Sequence, residues 1–424
     1  MVRLIILIIF YFGFPLIIIY LCSKWSFLKK LGTIVLAYGI GLLLGSSGLF
    51  PKGGEQYKLA LAGRTSIPAK EMQKMVDSGT LSVGDKFVNQ IATVQDMIQS
   101  IVVPLAFPLL LFSLNLRRWL KFARKGFISV LLALVAGIIM VTAGFFIWKN
   151  SIPESWKLAG MFEGIYTGGT PNFVAIKMAL DVNPDLFVIV STYDIVVGAF
   201  LVLFFITVAP RLFRLILPPY KEDVRLNVSY EEIKKETEDI EDYSGMFKRG
   251  RLVPLLAALG ISVLIFAISI LFTIIFPGAP KMVVVILSIT TMGILVSFIR
   301  QVHTIEKTFQ LGMYFILVFS LTIASMADIK TMFGIGMVHL VLFISWCYFG
   351  SMFLHLLLAR IFRIDADNFL ITSAAYIFSP PFVPLVANAL KNRDLIVTGI
   401  TGGILGYVLG NYFGVALAYF LKGF

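Results

Sequence analysis

Asp194, in the run STYDIVVGAF, is an acid in the middle of an apolar stretch. At the depth such a stretch implies, an aspartate costs several kcal/mol unless a partner or a function holds it there. Thr192 and Tyr193 beside it can complete a shell of oxygen ligands for sodium; carriage of a proton by Asp194 itself is the alternative. Two further stretches expose backbone chemistry. YTGGTPNFVAIKMAL (Tyr166 to Leu180) and YIFSPPFVPLVANAL (Tyr376 to Leu390) are apolar but broken in the middle by Gly or Pro. Where a helix breaks inside hydrocarbon, its N–H and C=O groups survive only against protein or a watery cavity. In the first break Gly168 and Gly169 allow a sharp turn, Thr170 can cap the returning half-helix, Pro171 needs no N–H in a first turn, and Asn172 adds an amide. In the second, Ser379 is the expected cap and is followed by Pro380 and Pro381. Both returning half-helices then aim their N-termini at the membrane centre, where their partial positive charge favours an anionic group. Glu163, in the first arm, is a weaker candidate for the same cavity.

The two broken stretches align without gaps at an offset of 210 positions, pairing Tyr166 with Tyr376, Pro171 with Pro381, Ala179 with Ala389 and Leu180 with Leu390. Each is the fifth apolar segment of its half and precedes a long helix. Paired, interrupted segments in corresponding positions point to the binding site of a repeat-built transporter. Residues 157–167 and 172–180 are each about ten long, so each reaches roughly 15 Å, half a bilayer.

The elements that must carry these residues follow from composition. The 424 residues are 58% hydrophobic and 14% charged, with a mean hydropathy of +0.90. Soluble domains are about a quarter charged, so a soluble enzyme is excluded. Apolar segments fall at roughly 3–22, 31–50, 97–116, 127–149, 157–180, 187–210, 252–277, 281–299, 308–327, 332–359, 368–390 and 395–420. Their length, and the weakness of any period-2 alternation, predict a polytopic helical protein rather than a barrel. Residues 1–22 read as the first transmembrane helix rather than a cleaved signal. Cys22 and Cys347 lie in apolar segments with no CxxC spacing, which supports neither a disulfide framework nor a zinc site. The polar insertions are 51–90 and 218–250, the second a charged linker that divides the chain into repeats over 1–217 and 251–424.

The net charge of +12 is gathered in short loops, the mark of orientation in a membrane rather than of nucleic-acid binding. If the two broken segments crossed fully, only about a third of the 36 Lys and Arg would be cytoplasmic, by the positive-inside count. If both are re-entrant hairpins, most fall inside, among them Lys24, Lys29, Lys30, Arg117, Arg118, Lys121, Arg124 and Lys125, the linker bases, and Arg300, Lys307, Arg360, Arg363, Lys391 and Arg393. The second arrangement leaves five crossing helices per half, and an odd number inverts the second half relative to the first. It also makes the linker cytoplasmic. The insertion 51–90, with Lys52, Lys58, Arg64, Lys70, Lys74 and Lys86, fits it poorly. The competing arrangement is a broken helix that crosses completely.

Other polar residues have weaker claims. Lys177 is expected to snorkel outward, Asp96 to belong to an amphipathic stretch in the interface, and His339 and His355 to play satisfied packing roles. Gly402, Gly406, Gly410 and Gly414 lie on one helix face at i+4 spacing and permit close helix approach.

The run YTGGTPNFVAIKMAL, the Asp194 helix after it and the closing AAYIFSPPFVPLVANALKNRDLIVTGITGGILGYVLG resemble the bacterial membrane proteins called domain of unknown function 819. These look related to cation:proton antiporters and to bile-acid, glutamate and citrate symporters. The resemblance implies two inverted repeats, a scaffold and a mobile core domain, alternating access by an elevator-like movement, a homodimer and a place in the bacterial inner membrane. It makes Gly168, Gly169, Asn172 and Asp194 the functional positions. Ser379, Pro380 and Pro381 depart from a glycine-rich second tip.

The expected function is a sodium- or proton-coupled secondary transporter of a small organic solute with a carboxylate, held between the two tips and needing no cofactor beyond the coupling ion. A cation/proton antiporter is the alternative. An intramembrane aspartyl protease needs a second aspartate facing Asp194, and Asp328 lies near a helix end without the glycine context; no GxSxG, HExxH or phosphate loop occurs, so no enzyme is expected.

Overall fold

A computed structural model of the chain describes all residues except 1, 26, 29–31, 62–63, 114–123, 221–241, 247, 327–336 and 393–394. Lys29, Lys30, Arg117, Arg118, Lys121, Asp328, Arg393 and most of the charged linker therefore lie outside the described residues.

The described residues are helical, without a strand, and each of the twelve apolar segments holds a helix. The first half comprises α1 (Val2–Lys24), α2 (Thr33–Ser46), α3 (Glu55–Leu61), α4 (Ala69–Asp77), α5 (Val83–Phe112), α6 (Arg124–Trp148), α7 (Ser155–Leu180), α8 (Pro184–Thr207) and α9 (Ala209–Ile216). The second comprises α10 (Arg249–Ile275), α11 (Lys281–Ser297), a single helical turn (Arg300–His303), α12 (Thr308–Met326), α13 (Met337–Ser345), a π-turn (Trp346–Gly350), α14 (Ser351–Ile361), α15 (Ala366–Phe378), a 3-10 turn (Pro380–Phe382), α16 (Val383–Leu390) and α17 (Ile396–Leu421). Among the described residues eight helices are long and apolar enough to cross a membrane, and α2 and α11 are shorter apolar helices. The protein is a multi-pass membrane protein.

The amphipathic stretch around Asp96, expected in the interface, is part of a single helix of 30 residues, α5. The chain before it is not the simple loop its polarity suggests. It contains α3 and α4, packed around Tyr57, Ile67, Met72 and Leu81. Asn89 ties this cluster to α5: its side chain accepts from the Tyr57 hydroxyl at 3.0 Å and the Ile67 N–H at 2.7 Å, and donates to the Ile67 carbonyl. One buried amide thus meets three polar groups that would each be costly unpaired.

The chain forms two compact units. One contains residues 1–106, 182–191 and 313–335; the other contains 107–181, 192–312 and 336–424. In the first unit, Gln95 of α5 donates to the Tyr11 hydroxyl at 2.7 Å, and Tyr11 shares a 2.6 Å hydrogen bond with Ser325 of α12. In helices otherwise apolar, these few polar contacts select which faces meet. The second unit contains both broken segments, Glu163, Thr192 and Asp194.

Candidate functional site

Gly169 is the only non-helical residue inside α7, with φ 67° and ψ −161°, a conformation open essentially to glycine. Its effect is large. A straight helix of 26 residues would hold its ends about 36 Å or more apart, yet Lys157 Nζ donates to the Asp181 carbonyl at 2.7 Å. The rings of Phe162 and Phe173 also meet at 5.8 Å. The segment is a hairpin, with both ends on the same side and its tip at Gly168–Pro171. The second broken segment does the same. Asn392 Nδ2 donates to Asp367 at 3.1 Å, and Arg214 Nη2 bridges Asp367 to the Leu390 carbonyl. The beginning of α15 and the end of α16 are therefore neighbours.

Corresponding residues share backbone geometry. Ser379, at the offset of 210 from Gly169, has φ 71° and ψ 166°; Asp181 and Lys391, at the same offset, both end their arms in the left-handed conformation. Ser379 is a non-glycine residue in a region that costs about 1–3 kcal/mol, so surrounding packing must hold it. The expectation that Ser379 caps the returning half-helix is not met. Its side chain makes no capping hydrogen bond and instead shares a hydrogen bond with the Tyr407 hydroxyl of α17. With proline at the start of the 3-10 turn, an N–H that a cap would satisfy is missing.

The two tips meet. A methyl on Gly169 would overlap Ser379 Oγ, and Tyr166 and Tyr376 contact edge to face at 6.5 Å. Glycines of α17 run along both hairpins: Gly399 against Ile371 and Val383, Gly403 against Pro380, Gly406 against Thr167 and Gly168, Gly410 against Asn172, and Gly414 against Gly160. The hairpins therefore approach from opposite ends of α17, and their tips meet near its middle. Of the glycine stripe expected at i+4 spacing, Gly402 is not a member; it faces Val130 of α6. The stripe shifts by one position because a single helix follows two hairpins, and the step from Gly403 to Gly406 is three residues rather than four.

Asn172 Nδ2 donates to the Gly406 carbonyl at 2.9 Å, while its Oδ1 is buried with no hydrogen-bond partner among the described residues. Thr170 is half-buried at the same tip. Pro380 packs on α17; Pro381 shares its turn, but its side chain lies outside the described residues. Gly169→Ala is expected to destabilise the protein by about 2–4 kcal/mol, from backbone strain and overpacking together. Ser379→Gly should restore part of the loss by removing the overlapped hydroxyl, a coupling that thermal unfolding of the two single variants and the double variant would reveal.

Asp194 lies deeper than its apolar run implies, because α8 begins at Pro184; ten residues of helix carry it about 15 Å from that end. Its Oδ1 accepts a short hydrogen bond from the Tyr348 hydroxyl. Tyr348 sits in the π-turn, an extra-residue turn that often marks a functional position, and its ring packs at 6.2 Å on Phe162 of the first hairpin. Thr192, half-buried, lies two residues before Asp194 on α8. Asp328, the second acid considered for a protease, lies outside the described residues.

Glu163 carries more weight than its place in the sequence suggests. It is completely buried, and neither carboxyl oxygen has a hydrogen-bond partner among the described residues; the same holds for the hydroxyls of Tyr166 and Tyr376. Lys177 is buried rather than snorkelled outward, in the last turn of its arm, where the helix dipole favours a cation. His355 is satisfied by Ser129 and Ser373, as expected of a packing residue, whereas His339 is exposed. Sequence reading missed Arg214 and Asp367, which close the second hairpin. The only signal was an acid pair, Asp365 and Asp367, at a helix start, and Asp365 proves to be the N-cap, accepting from the Asn368 N–H at 2.9 Å.

Comparison with known proteins covers the part of the chain that holds these residues. Residues 80–424, which include both hairpins and Asp194, match the family described as protein of unknown function DUF819. The chain belongs to that family. It is also similar to the uncharacterized membrane protein YjcL of Bacillus subtilis (strain 168), with 26% identity over 339 residues, which covers 78% of this chain and 84% of the relative.

Proposed function

We propose that this protein is a secondary active transporter of the bacterial inner membrane, in which a small carboxylate-bearing solute binds where the two hairpin tips meet. The observation that carries the reading is the tip-to-tip contact midway along α17, between hairpins rooted at opposite ends of that helix. In a membrane such hairpins are re-entrant, and non-helical backbone at depth is tolerated where it meets protein or a solute cavity. The matching geometry of Gly169 with Ser379, and of Asp181 with Lys391, supports two inverted repeats, as in transporters that bind solute at the repeat interface. A solute carboxylate between the tips would face the N-termini of both returning arms, and Asn172 would orient it.

Alternating access then requires the hairpins to expose the tip region to each side in turn, by an elevator-like movement. Coupling falls to Asp194 with Thr192, held by Tyr348, and to Glu163 in the first arm. Sodium or a proton at these carboxyls links the driving gradient to the movement.

The test begins with a thermal-shift screen of the purified protein against carboxylates, amino acids and nucleosides, with and without sodium. Uptake of the stabilising solute into proteoliposomes under a sodium or proton gradient follows. Gradient-driven uptake is expected, and Asp194→Asn should reduce it to the level of empty liposomes without loss of thermal stability. Ion flux without any solute would replace the symporter with an antiporter, and uptake by Asp194→Asn with unchanged ion dependence would remove Asp194 from coupling.

A further inference from the structure

The least explained group in the molecule is the carboxyl of Glu163. It lies six residues before Gly169, about 9 Å along the first arm, and no part of it reaches solvent. It faces α6 at Gly137, where a methyl group would come within 3.0 Å of Glu163 Oε2 and 2.7 Å of the Tyr166 ring. Helix α6 thus gives up a side chain at the point where the carboxyl and the ring enter. Among the described residues, Tyr166 on its own arm, Tyr376 on the second hairpin and Cys347 on the π-turn lie within electrostatic reach of Glu163, and α6 presents Gly137 to it. All three are neutral in their ordinary form at neutral pH. Neither a base nor a hydrogen-bond donor of the described residues pairs with the carboxyl.

A buried carboxylate survives when it is paired or hydrogen-bonded, and otherwise the neutral acid is strongly preferred. Here the two phenol hydroxyls share no hydrogen bond with the carboxyl. We propose that Glu163 carries a proton in this conformation and that Glu163, Tyr166 and Tyr376 form the proton-loading site of the transporter. The assignment rests on the transport reading above and specifies its coupling ion. Tyr376 belongs to the opposite hairpin, so the cover over Glu163 depends on the tip contact. When the tips part, water reaches the acid, Glu163 gives its proton to that water and becomes a carboxylate; closure of the tips requires a proton to be taken up again from the side then open.

Infrared spectroscopy of the full chain in lipid tests this without a known solute. At neutral pH the carbonyl stretch of a protonated carboxylic acid is expected. It should shift when glutamate carboxyls are labelled with carbon-13, persist in Asp194→Asn and vanish in Glu163→Gln. The labelling requires no substitution, so the test stands even if Glu163→Gln does not fold. Absence of a label-sensitive acid band at neutral pH would overturn the proposal, as would its loss on addition of sodium chloride at constant pH, which would make the site a sodium site. The band present with no solute-driven uptake would remove the transport reading and leave the protonated carboxyl; uptake driven by sodium alone with the band absent would do the reverse.

Discussion

Gly406→Ala is expected to leave little protein that survives detergent extraction as a single species, whereas Gly402→Ala, one turn earlier on the same helix, should be tolerated. A methyl on Gly406 would overlap the Thr167 carbonyl oxygen and come within 2.7 Å of the Thr167 carbonyl carbon. Both are backbone atoms at the tip of the first hairpin, so no rotamer change can make room. The arm would have to leave α17, breaking the hydrogen bond from Asn172 to the Gly406 carbonyl. Overpacking ordinarily costs about 1–3 kcal/mol, and a collision with rigid backbone lies at or beyond the upper end. A methyl on Gly402 would meet Val130 Cγ2 at 3.1 Å, the end of a side chain that can shift by a few tenths of an ångström. Size-exclusion profiles and unfolding temperatures of the two variants in one detergent would settle the comparison. Equal behaviour would mean that α17 does not carry the first hairpin in the register described.

The second large effect is expected at the root of the other hairpin. Arg214 of α9 contacts both oxygens of Asp367 at 2.9–3.0 Å and the Leu390 carbonyl at 3.0 Å. The arginine side chain is 46% exposed and that of Asp367 only 5%. Among the described residues, removing the arginine leaves the buried carboxylate with Asn392 as its remaining side-chain partner. Loss of one partner from a buried pair costs about 3–5 kcal/mol, and the exposure of Arg214 reduces this to about 2–3 kcal/mol for Arg214→Ala. Most of the loss comes from the stranded charge, so Asp367→Asn should recover part of it in the double variant. Hydrogen exchange locates the effect: protection should fall in α15 and α16 and remain in α7. Uniform loss across both hairpins would mean that the pair does not act as a local closure.

Much of this architecture is legible in local sequence. Runs of apolar residues long enough to cross a bilayer fixed where helices form, because the cost of burying backbone and charge in hydrocarbon depends on each segment's own composition. The breaks at Gly168–Pro171 and Ser379–Pro381 are legible for a similar reason. Glycine and proline alter backbone freedom at their own positions whatever surrounds them. The distribution of Lys and Arg favoured hairpins over crossing helices, and the contacts of Lys157 with Asp181 and of Asn392 with Asp367 have that hairpin form.

What local sequence could not supply is the rotation of each helix about its axis and the partner that each face meets. Asp194 and Glu163 are both acids in apolar helices, and only tertiary packing gives the first a phenol from a π-turn and leaves the second enclosed without a hydrogen-bond partner among the described residues. Gly402 and Gly403 are adjacent glycines, and only the passage of α17 from one hairpin to the other decides that Gly403 lies in the close-packed stripe. Arg214 and Asp367 are separated by 153 positions, so no periodicity could pair them. Hydropathy and turn chemistry act over a few residues and are written along the chain; the burial of a charge and the approach of two backbones belong to residues that meet only when the chain has folded.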